Sequence, residues 1–271
     1  MNGSSLSLAL AVLVLQAGCL DASRDPPADQ APSTDRTATI PGAVAPSTLA
    51  SNETWFLQGC RQVFFYAPQE MGSGSQGLPP DHELSGTAYA TLGLLVADCA
   101  SSVRGNRSVV EGFRFAMTYQ LLRSIGNETG TVDQDWYVRE LVLEHEETAR
   151  ELAAFGFPAV VGEVELAFGP AGPAATVTAP GLAYTASGHR SQEQGPSSRD
   201  QTRAFRGAAD DRWFWLLVAA QRTDYVPFSS GSLVSAEGGY LGTARQGGLW
   251  PGSNQQQTED LTITFHEIRF G

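Results

Sequence analysis

Lysine is absent from this sequence of 271 residues, and all 17 of its Lys or Arg positions hold arginine. An arginine guanidinium stays protonated in proteins, so it cannot supply the free amine that forms an imine with a carbonyl substrate. Lysine imine chemistry is therefore excluded for this chain. Asp and Glu number 29, and the net charge of -12 argues against general affinity for nucleic acid or anionic membranes.

Histidine and cysteine are also scarce, with four and three copies, and their positions show no zinc-ligand spacing. Glu144-His145-Glu146-Glu147 lacks the HExxH pattern, and acidic side chains of this kind are typical of a helix start. Gly-x-Ser-x-Gly does not occur, and Ser229-Ser230-Gly231-Ser232 lacks the lysine of a phosphate-binding loop. The sequence thus predicts no catalytic residue of these types, no metal and no cofactor.

The N-terminal residues have the outline of an export signal. Leu6 to Leu15 is apolar but shorter than the roughly 20 residues that a transmembrane helix needs, so residues 1–19 are expected to be a signal peptide. The small residues before Cys19 resemble the end of a lipoprotein signal, which would make Cys19 the lipid attachment site. Ordinary signal cleavage and an uncleaved segment are the alternatives. Lipid attachment would place the protein at the cell surface or on the periplasmic face of a membrane.

Residues 20–51 are rich in Pro, Ala, Ser, Thr and Asp and have no apolar periodicity. Such a segment cannot bury enough surface to offset its ordering entropy, so we expect a disordered tether. Residues 52–271 are long enough for one domain with a sizeable core.

Export also gives expectations for covalent modification. Cys60 and Cys99 remain as an even pair and predict a disulfide, with two buried thiols as the alternative. Asn52, Asn106 and Asn127 each precede Ser or Thr by two positions and are candidate glycosylation sites. Chance occurrence in a chain rich in Ser and Thr is the alternative for these three.

Alternating apolar and polar residues predict strands from Phe113 to Leu121 and from Val160 to Phe168. Trp136 to Leu143 is also strand-like. Trp213 to Ala220 is apolar on both faces, and its Trp, Phe and Val content favours a buried strand over a helix. With 29 glycines and 15 prolines, the composition favours many turns over a helical bundle. The predicted fold is mainly β (α+β), an antiparallel barrel or sandwich with one principal helix.

Three further segments receive local predictions. Gly188 to Ala209 is polar and is interpreted as a long surface loop. The Gly and Ser residues from Ser229 to Gly252 indicate turns around short strands. A change in the phase of the apolar residues predicts a bulge at His266-Glu267.

A helix expected at about His145 to Phe155 runs into Gly156-Phe157-Pro158, and this corner resembles the acetoacetate decarboxylase family. Leu78-Pro79-Pro80 before an apolar strand agrees with the same resemblance, which covers roughly residues 60–270. In that family two lysines follow Gly-Phe-Pro, and the first forms an imine with a β-keto acid. Here Ala159 and Val160 replace both lysines. The resemblance thus implies a related barrel without the imine-forming amine.

The same resemblance suggests a ligand pocket. Its candidate residues are Phe157, Ala159, Val160, Glu111 and Arg114; the last two form a possible charge pair, although the family's Gly-Pro-Tyr signature before a pocket glutamate is not present. Loss of two lysines makes the pocket more apolar, so we expect a small neutral or apolar ligand and a pseudoenzyme. A surface lipoprotein acting through protein contacts, or an enzyme using non-lysine acid/base chemistry on a keto acid or ester, are the alternatives.

Overall fold

The computed structural model describes residues 43–44, 54–70, 78, 82–85, 89–104, 109–124, 134–154, 157–191, 197–209, 212–243, 247–250 and 253–270. All of them lie in one compact unit, residues 39–271. The predicted signal peptide with Cys19 and the glycosylation candidates Asn52, Asn106 and Asn127 lie outside the described residues, as does the predicted tether apart from Ala43–Val44. No helix in the described ranges is long and apolar enough to cross a membrane.

The described elements are almost all strands. In chain order they are β1 (Ala43–Val44), β2 (Thr54–Glu70), β3 (His82–Leu84), β4 (Tyr89–Arg104), β5 (Val110–Ser124), β6 (Gln134–Leu143), α1 (Glu146–Ala154), β7 (Ala159–Val161), β8 (Glu163–Phe168), β9 (Pro173–Ala179), β10 (Leu182–Arg190), β11 (Ser197–Ala209), β12 (Arg212–Gly238), a 3-10 helix (Tyr240–Thr243), β13 (Gly247–Gly248) and β14 (Asn254–Phe270).

Seven of these strands form a nearly closed barrel in the order β14, β2, β4, β5, β6, β11 and β12, and β12 pairs again with β14. Neighbours in this ring are antiparallel except β6 and β11, which run parallel. The short β7 also runs parallel to β6. The predicted mainly β barrel with one helix is therefore confirmed, with two parallel pairings added.

The 27-residue strand β12 belongs to the barrel and to a second sheet. Its first part pairs with β11 and β14, and its last part, from Phe228 to Gly238, pairs with β10. β9 and β8 then extend the second sheet beyond β10. The predicted strand at Trp213 to Ala220 is confirmed, whereas the turns predicted from Ser229 onward are wrong for residues 229–238, which continue this strand.

Side chains alternate across the strands and build two buried cores. The helix-side core includes Trp55, Leu57, Phe64, Tyr66, Leu95, Phe113, Phe115, Met117, Tyr119, Trp136, Val138, Leu141, Leu143, Ala149, Leu152, Phe157, Leu261 and Ile263. The sheet-side core, on the opposite face, includes Val63, Phe65, Leu92, Leu94, Val96, Ala116, Val142, Val164, Val177, Leu182, Tyr184, Leu233 and Leu241. The strand predicted from Phe113 to Leu121 thus supplies the helix-side core with its odd-numbered residues.

A disulfide links Cys60 of β2 to Cys99 of β4, as predicted, with a Cα–Cα distance of 4.0 Å. Both cysteines are buried in the helix-side core. The bond therefore fixes the two strands at a position without solvent contact.

His145 caps the N-terminus of α1. Its carbonyl accepts a hydrogen bond from the Ala149 N–H, and its Nδ1 accepts one from the Thr148 N–H at 3.3 Å. Glu146 and Glu147 occupy the first turn, where carboxylates complement the helix dipole. Ala149 and Leu152 bury the inner face of the helix. The predicted helix and the structural interpretation of its acidic start are confirmed.

Three local predictions need correction. The loop predicted at Gly188 to Ala209 contains β11, whose backbone pairs with β12 on one edge and with β6 on the other, so ladder hydrogen bonds order a polar sequence. The strand predicted from Val160 to Phe168 is interrupted at Gly162, where an added Cβ would lie 2.3 Å from the Thr178 carbonyl oxygen. The pairing of β14 with β12 is regular through His266 and Glu267, so the predicted bulge is absent there.

Candidate functional site

The Gly-Phe-Pro corner connects α1 to the sheet. The Phe157 N–H donates to the Leu152 carbonyl at 3.0 Å, and the Leu141 N–H of β6 donates to the Pro158 carbonyl at 2.9 Å. Ala159 then lies opposite Leu141 in the parallel β6–β7 pair. The corner is thereby held by the end of the helix and by the sheet at once.

The two positions that resemble the family's lysines have different surroundings. Ala159 is partly buried and packs against the helix-side core, next to the buried Phe157. Val160 is 37% exposed. Because successive residues of a strand point to opposite faces, a side chain at 159 faces the core and one at 160 faces away from it.

The surroundings of Ala159 are apolar. Among the residues whose burial the structure describes, the buried polar side chains are all Gln, Asn, Ser or Thr, and no Asp, Glu, Arg or His is buried. The largest members of the helix-side core are aromatic: the Tyr66 and Trp136 rings are parallel with centroids 5.9 Å apart, and the Tyr119 ring meets Trp136 edge-on at 4.4 Å. Gly93 lies directly beneath Tyr119, where an added Cβ would come within 2.4 Å of that ring. Ala159 thus packs against a core that is built of aromatic and aliphatic side chains.

Glu111 and Arg114 do not join this site. Glu111 is exposed, and Arg114 alternates with Phe113 and Phe115, so it lies on the face opposite the helix-side core. The Arg114 Nε lies 3.3 Å from Asp98 Oδ1, and the other carboxylate oxygen, Oδ2, accepts a hydrogen bond from Arg61. Arg114 therefore belongs to a row of ion pairs across β2, β4 and β5. Of the predicted pocket residues, only Phe157 and Ala159 face the same core, because Val160 faces away from it.

A second polar group, which sequence reasoning missed, arises from a bulge in β6. Thr118 pairs with Glu140 but Tyr119 pairs with Val138, so Arg139 is the extra residue. A bulge of this kind turns two consecutive side chains to one face. The sequence does contain a signal for this bulge. The apolar residues Val138 and Leu141 are an odd number of positions apart, so the alternation of apolar and polar residues changes phase between them.

Glu140 is the centre of this group, which we call the Glu140 network. One carboxylate oxygen accepts hydrogen bonds from the Thr118 hydroxyl at 2.8 Å and from the Tyr184 hydroxyl at 2.5 Å. The other accepts from the Tyr240 N–H at 2.5 Å. Gly239, with a φ of 66°, permits this close approach, because a Cβ there would lie 1.7 Å from the Tyr184 hydroxyl oxygen. The network ties the 3-10 helix to β5, β6 and β10.

Arg139 extends the network toward β2. Its Nε donates to the Gln120 side-chain oxygen at 2.6 Å, and the Gln120 amide donates to the Gln69 oxygen at 2.5 Å. The Gln69 amide in turn donates to the Thr243 hydroxyl at 2.6 Å. Gln69 and Gln120 are fully buried. This chain of bonds links three strands and the 3-10 helix through neutral amides.

Burial governs the electrostatics of the network. It lowers the pKa of Arg139, against smaller opposite contributions from Tyr240 and Tyr137. It raises the pKa of Tyr184, and the hydrogen bond to the Glu140 carboxylate raises that pKa further. Tyr184 therefore stays a hydrogen-bond donor at neutral pH. In the described ranges, no three His, Cys, Asp or Glu side chains are grouped so that they could hold a metal ion.

Comparisons with known proteins give matches in structure alone. No model of a known protein family matches this sequence, and no curated protein does. A crystal structure of acetoacetate decarboxylase from Legionella pneumophila matches with a TM-score of 0.56 and 12% identity, over 83% of this chain and 91% of that chain.

Two further solved structures agree. Another acetoacetate decarboxylase matches with a TM-score of 0.54 and 11% identity, over 80% of this chain and 89% of that one. An acetoacetate decarboxylase-like enzyme from Sphingomonas wittichii RW1 matches with a TM-score of 0.53 and 10% identity, over 83% and 96% of the two chains. At such identities the likeness establishes the fold and no activity. This chain has an acetoacetate decarboxylase-like fold, as its Gly-Phe-Pro corner predicted.

Proposed function

We propose that this protein binds a small neutral or apolar molecule beside Ala159 and has no lysine-dependent decarboxylase activity. The observation that carries the proposal is the place of Ala159, which packs from the start of β7 against a core whose described buried members are uncharged. A carboxylate buried there would lose its hydration without gaining a cation, which is unfavourable. A neutral ligand loses much less on entering such surroundings.

The size of the side chain at position 159 also decides how much space the proposed site leaves for a ligand. Alanine occupies far less space than the lysine found there in the family that this corner resembles, and no lysine elsewhere in the chain can replace it. Aromatic rings in the same core would supply a ligand with large contact area. Small-molecule sites are typically lined in this way.

Export and lipid attachment at Cys19 are part of the same proposal. The Cys60–Cys99 disulfide supports export, because disulfides persist mainly in oxidising compartments. The intact mass of the protein from its own host tests the proposal directly. A chain that begins at Cys19 and carries acyl groups is the expected result, and an unmodified chain that retains residues 1–18 would contradict it.

Protein contacts are the second candidate function. Among the described residues, large apolar side chains are exposed at Phe56, Tyr89, Val109, Val160 and Val161. Val160 and Val161 follow each other on the short strand β7, so they expose apolar side chains on both of its faces, where either would suit contact with a partner protein. This candidate requires no bound small molecule, so the identity of any retained ligand separates it from the first.

A lysine placed at position 159 tests the orientation and polarity of the proposed site. In Ala159→Lys the new amine should be desolvated, which lowers its pKa below the ordinary value of about 10.4 and favours imine formation at neutral pH. Borohydride trapping with a small neutral ketone should therefore label this variant faster than Val160→Lys, whose amine would be at an exposed position. The pH dependence of labelling gives both pKa values. Equal rates and equal pKa values in the two folded variants would contradict the proposal.

A further inference from the structure

Three apolar residues lie side by side on the outer face of the barrel, at the end where β2 begins. Phe56 of β2 is 48% exposed and pairs with Val103 of β4, which is partly buried. Val109 is 53% exposed and immediately precedes β5, and the register of the Ser102–Val110 pair extends to place it beside Val103. Directly opposed residues of antiparallel strands have Cβ atoms about 5 Å apart, so Phe56, Val103 and Val109 form one surface, which we call the Phe56 patch.

The Phe56 patch lies outside the part of β2 that the second sheet covers. Trp55 and Leu57 belong to the helix-side core, so Phe56 between them faces away from that core. Farther along the same strand, the Phe168 ring of β8 lies over the Arg61 guanidinium, with 4.3 Å between the guanidinium carbon and the ring centroid. The sheet-side core follows from there. Phe56 precedes this covered part, and its side chain is open to solvent.

Polar residues border the patch on the side of the barrel. Gln58, Ser101 and Glu111 lie two positions from the patch residues on the same three strands, and therefore on the same face. The Ser101 hydroxyl donates to the Gln58 side-chain oxygen at 3.2 Å, and Glu111 is exposed. An apolar row beside a polar row suits shallow contact with a bilayer, in which apolar side chains reach the acyl boundary and polar ones stay among the headgroups.

The N-terminal part of the chain joins the domain at the same end of the barrel. β14 pairs with β2 through Thr262 and Phe56, and with β1 through Arg269 and Val44. The two pairs are about seven residues apart along β14, or roughly 23 Å at the rise of a strand. About 24 residues lead from Cys19 to β1, and a flexible chain of that length has a root-mean-square end-to-end distance of roughly 27 Å. A lipid at Cys19 would therefore keep the Phe56 patch within reach of the membrane.

We infer that the Phe56 patch contacts the lipid bilayer to which the chain is anchored. This inference rests on the lipid attachment at Cys19 proposed above. Contact by a tethered domain is intramolecular, and the tether supplies a high effective concentration, so a weak apolar interaction is sufficient. The net charge of -12 opposes contact with anionic lipid, so zwitterionic phosphatidylcholine is the surface that fits the patch.

A chemical anchor separates the test of the patch from the test of natural lipid attachment. The full chain would be synthesised without acylation and joined through its Cys19 thiol to a maleimide-bearing phospholipid in phosphatidylcholine vesicles. Cys60 and Cys99 are held in their disulfide, so they do not react. The anchor is then present whether or not the host acylates the chain. The intact mass of the protein from its own host tests acylation by itself, so failure of the proposed attachment and failure of the patch are distinguishable.

Tryptophan fluorescence reports the contact, because brominated acyl chains quench tryptophan only at short range. Phe56→Trp places a reporter in the patch, and Thr176→Trp places one at an exposed position of β9 in the second sheet. We expect vesicles with brominated acyl chains to remove most of the fluorescence that Phe56→Trp adds and little of that which Thr176→Trp adds. Equal losses from the two reporters overturn the inference and favour a protein partner for the patch.

A second substitution tests whether apolar character is what brings the patch to the lipid. Val109→Asp, added to Phe56→Trp, places a charge in the patch at an exposed position, where substitutions usually have little effect on stability. Quenching of the Phe56→Trp reporter should fall, because a carboxylate resists transfer from water to the acyl boundary. Ala174→Asp, at an exposed position of β9, adds the same charge to the second sheet and should leave the quenching unchanged. Undiminished quenching in the Val109→Asp variant also overturns the inference.

Discussion

Replacement of both disulfide cysteines, Cys60→Ala with Cys99→Ala, is expected to lower the free energy of unfolding by about 3 to 4 kcal/mol. The bond closes a sequence separation of 39 residues, so its loss returns conformational freedom to the unfolded chain. Alanine is preferred to serine because both positions are buried, and a buried hydroxyl would add its own desolvation cost. Urea unfolding of the full chain measures the difference.

Reducing agent provides the control for this pair of substitutions. It should destabilise the unchanged protein by a similar amount and leave the double variant unaffected. If the double variant is as stable as the oxidised protein, the disulfide contributes nothing to stability in solution. The predicted loss of stability on reduction means that this protein would gain from maturing in an oxidising compartment, as the proposed export requires.

Removal of the Glu140 carboxylate should also have a large effect. Glu140→Ala leaves the Thr118 hydroxyl, the Tyr184 hydroxyl and the Tyr240 N–H without their shared acceptor, and we expect a loss of about 3 kcal/mol in unfolding free energy. The pKa of Tyr184 should fall at the same time, because burial raises it first and the Glu140 carboxylate raises it further. Ultraviolet titration of the tyrosines detects the second change.

A glutamate on the second sheet serves as the control for Glu140. Glu165 is exposed on β8, so Glu165→Ala should change stability by less than about 0.5 kcal/mol and leave the tyrosine titration unchanged. Equal stability of Glu140→Ala and Glu165→Ala would contradict the role assigned to the network. An unchanged Tyr184 titration in Glu140→Ala would contradict the electrostatic part of that role.

The strands that can be predicted from sequence are those with one buried face. Phe113 to Leu121 alternates because its odd-numbered residues enter the helix-side core, and that pattern gave the strand and the buried set together. β11 could not be predicted in this way, because its order comes from backbone pairing with two neighbours. Polar strands enclosed by other strands give no apolar signal, so sequence reasoning assigns them to loops.

A change in the alternation of apolar and polar residues correctly indicates a bulge in β6 but wrongly predicts one in β14. At Val138-Arg139-Glu140-Leu141 the change marks a bulge, because Arg139 is an extra residue relative to β5. At His266-Glu267 the same kind of change occurs in a regular ladder. Apolar phase reports which face is buried, and burial can change along a strand without a change in pairing. Pairing partners are needed to separate the two cases.

The candidate site likewise has a part that the sequence predicts and a part that it does not. The Gly-Phe-Pro corner was recognisable because it is local, and it placed Phe157 and Ala159 against the same core, whereas Val160 faces away from it. The Glu140 network joins residues from β2, β5, β6, β10 and the 3-10 helix, which are up to 174 positions apart in one hydrogen bond. No local pattern brings such residues together. Conversely, closeness in sequence does not ensure a shared site: Glu111 is exposed, whereas Arg114, three positions later, pairs with Asp98.

Native mass spectrometry of the full chain purified from its own host tests the central claim most directly. The account predicts a stoichiometric small molecule that is released on denaturation and is neutral or largely apolar. The Ala159→Lys variant from the same host should retain less of it, because a charged and longer side chain would enter the proposed site. A protein that carries no ligand, or a ligand retained equally by this folded variant, would contradict the claim.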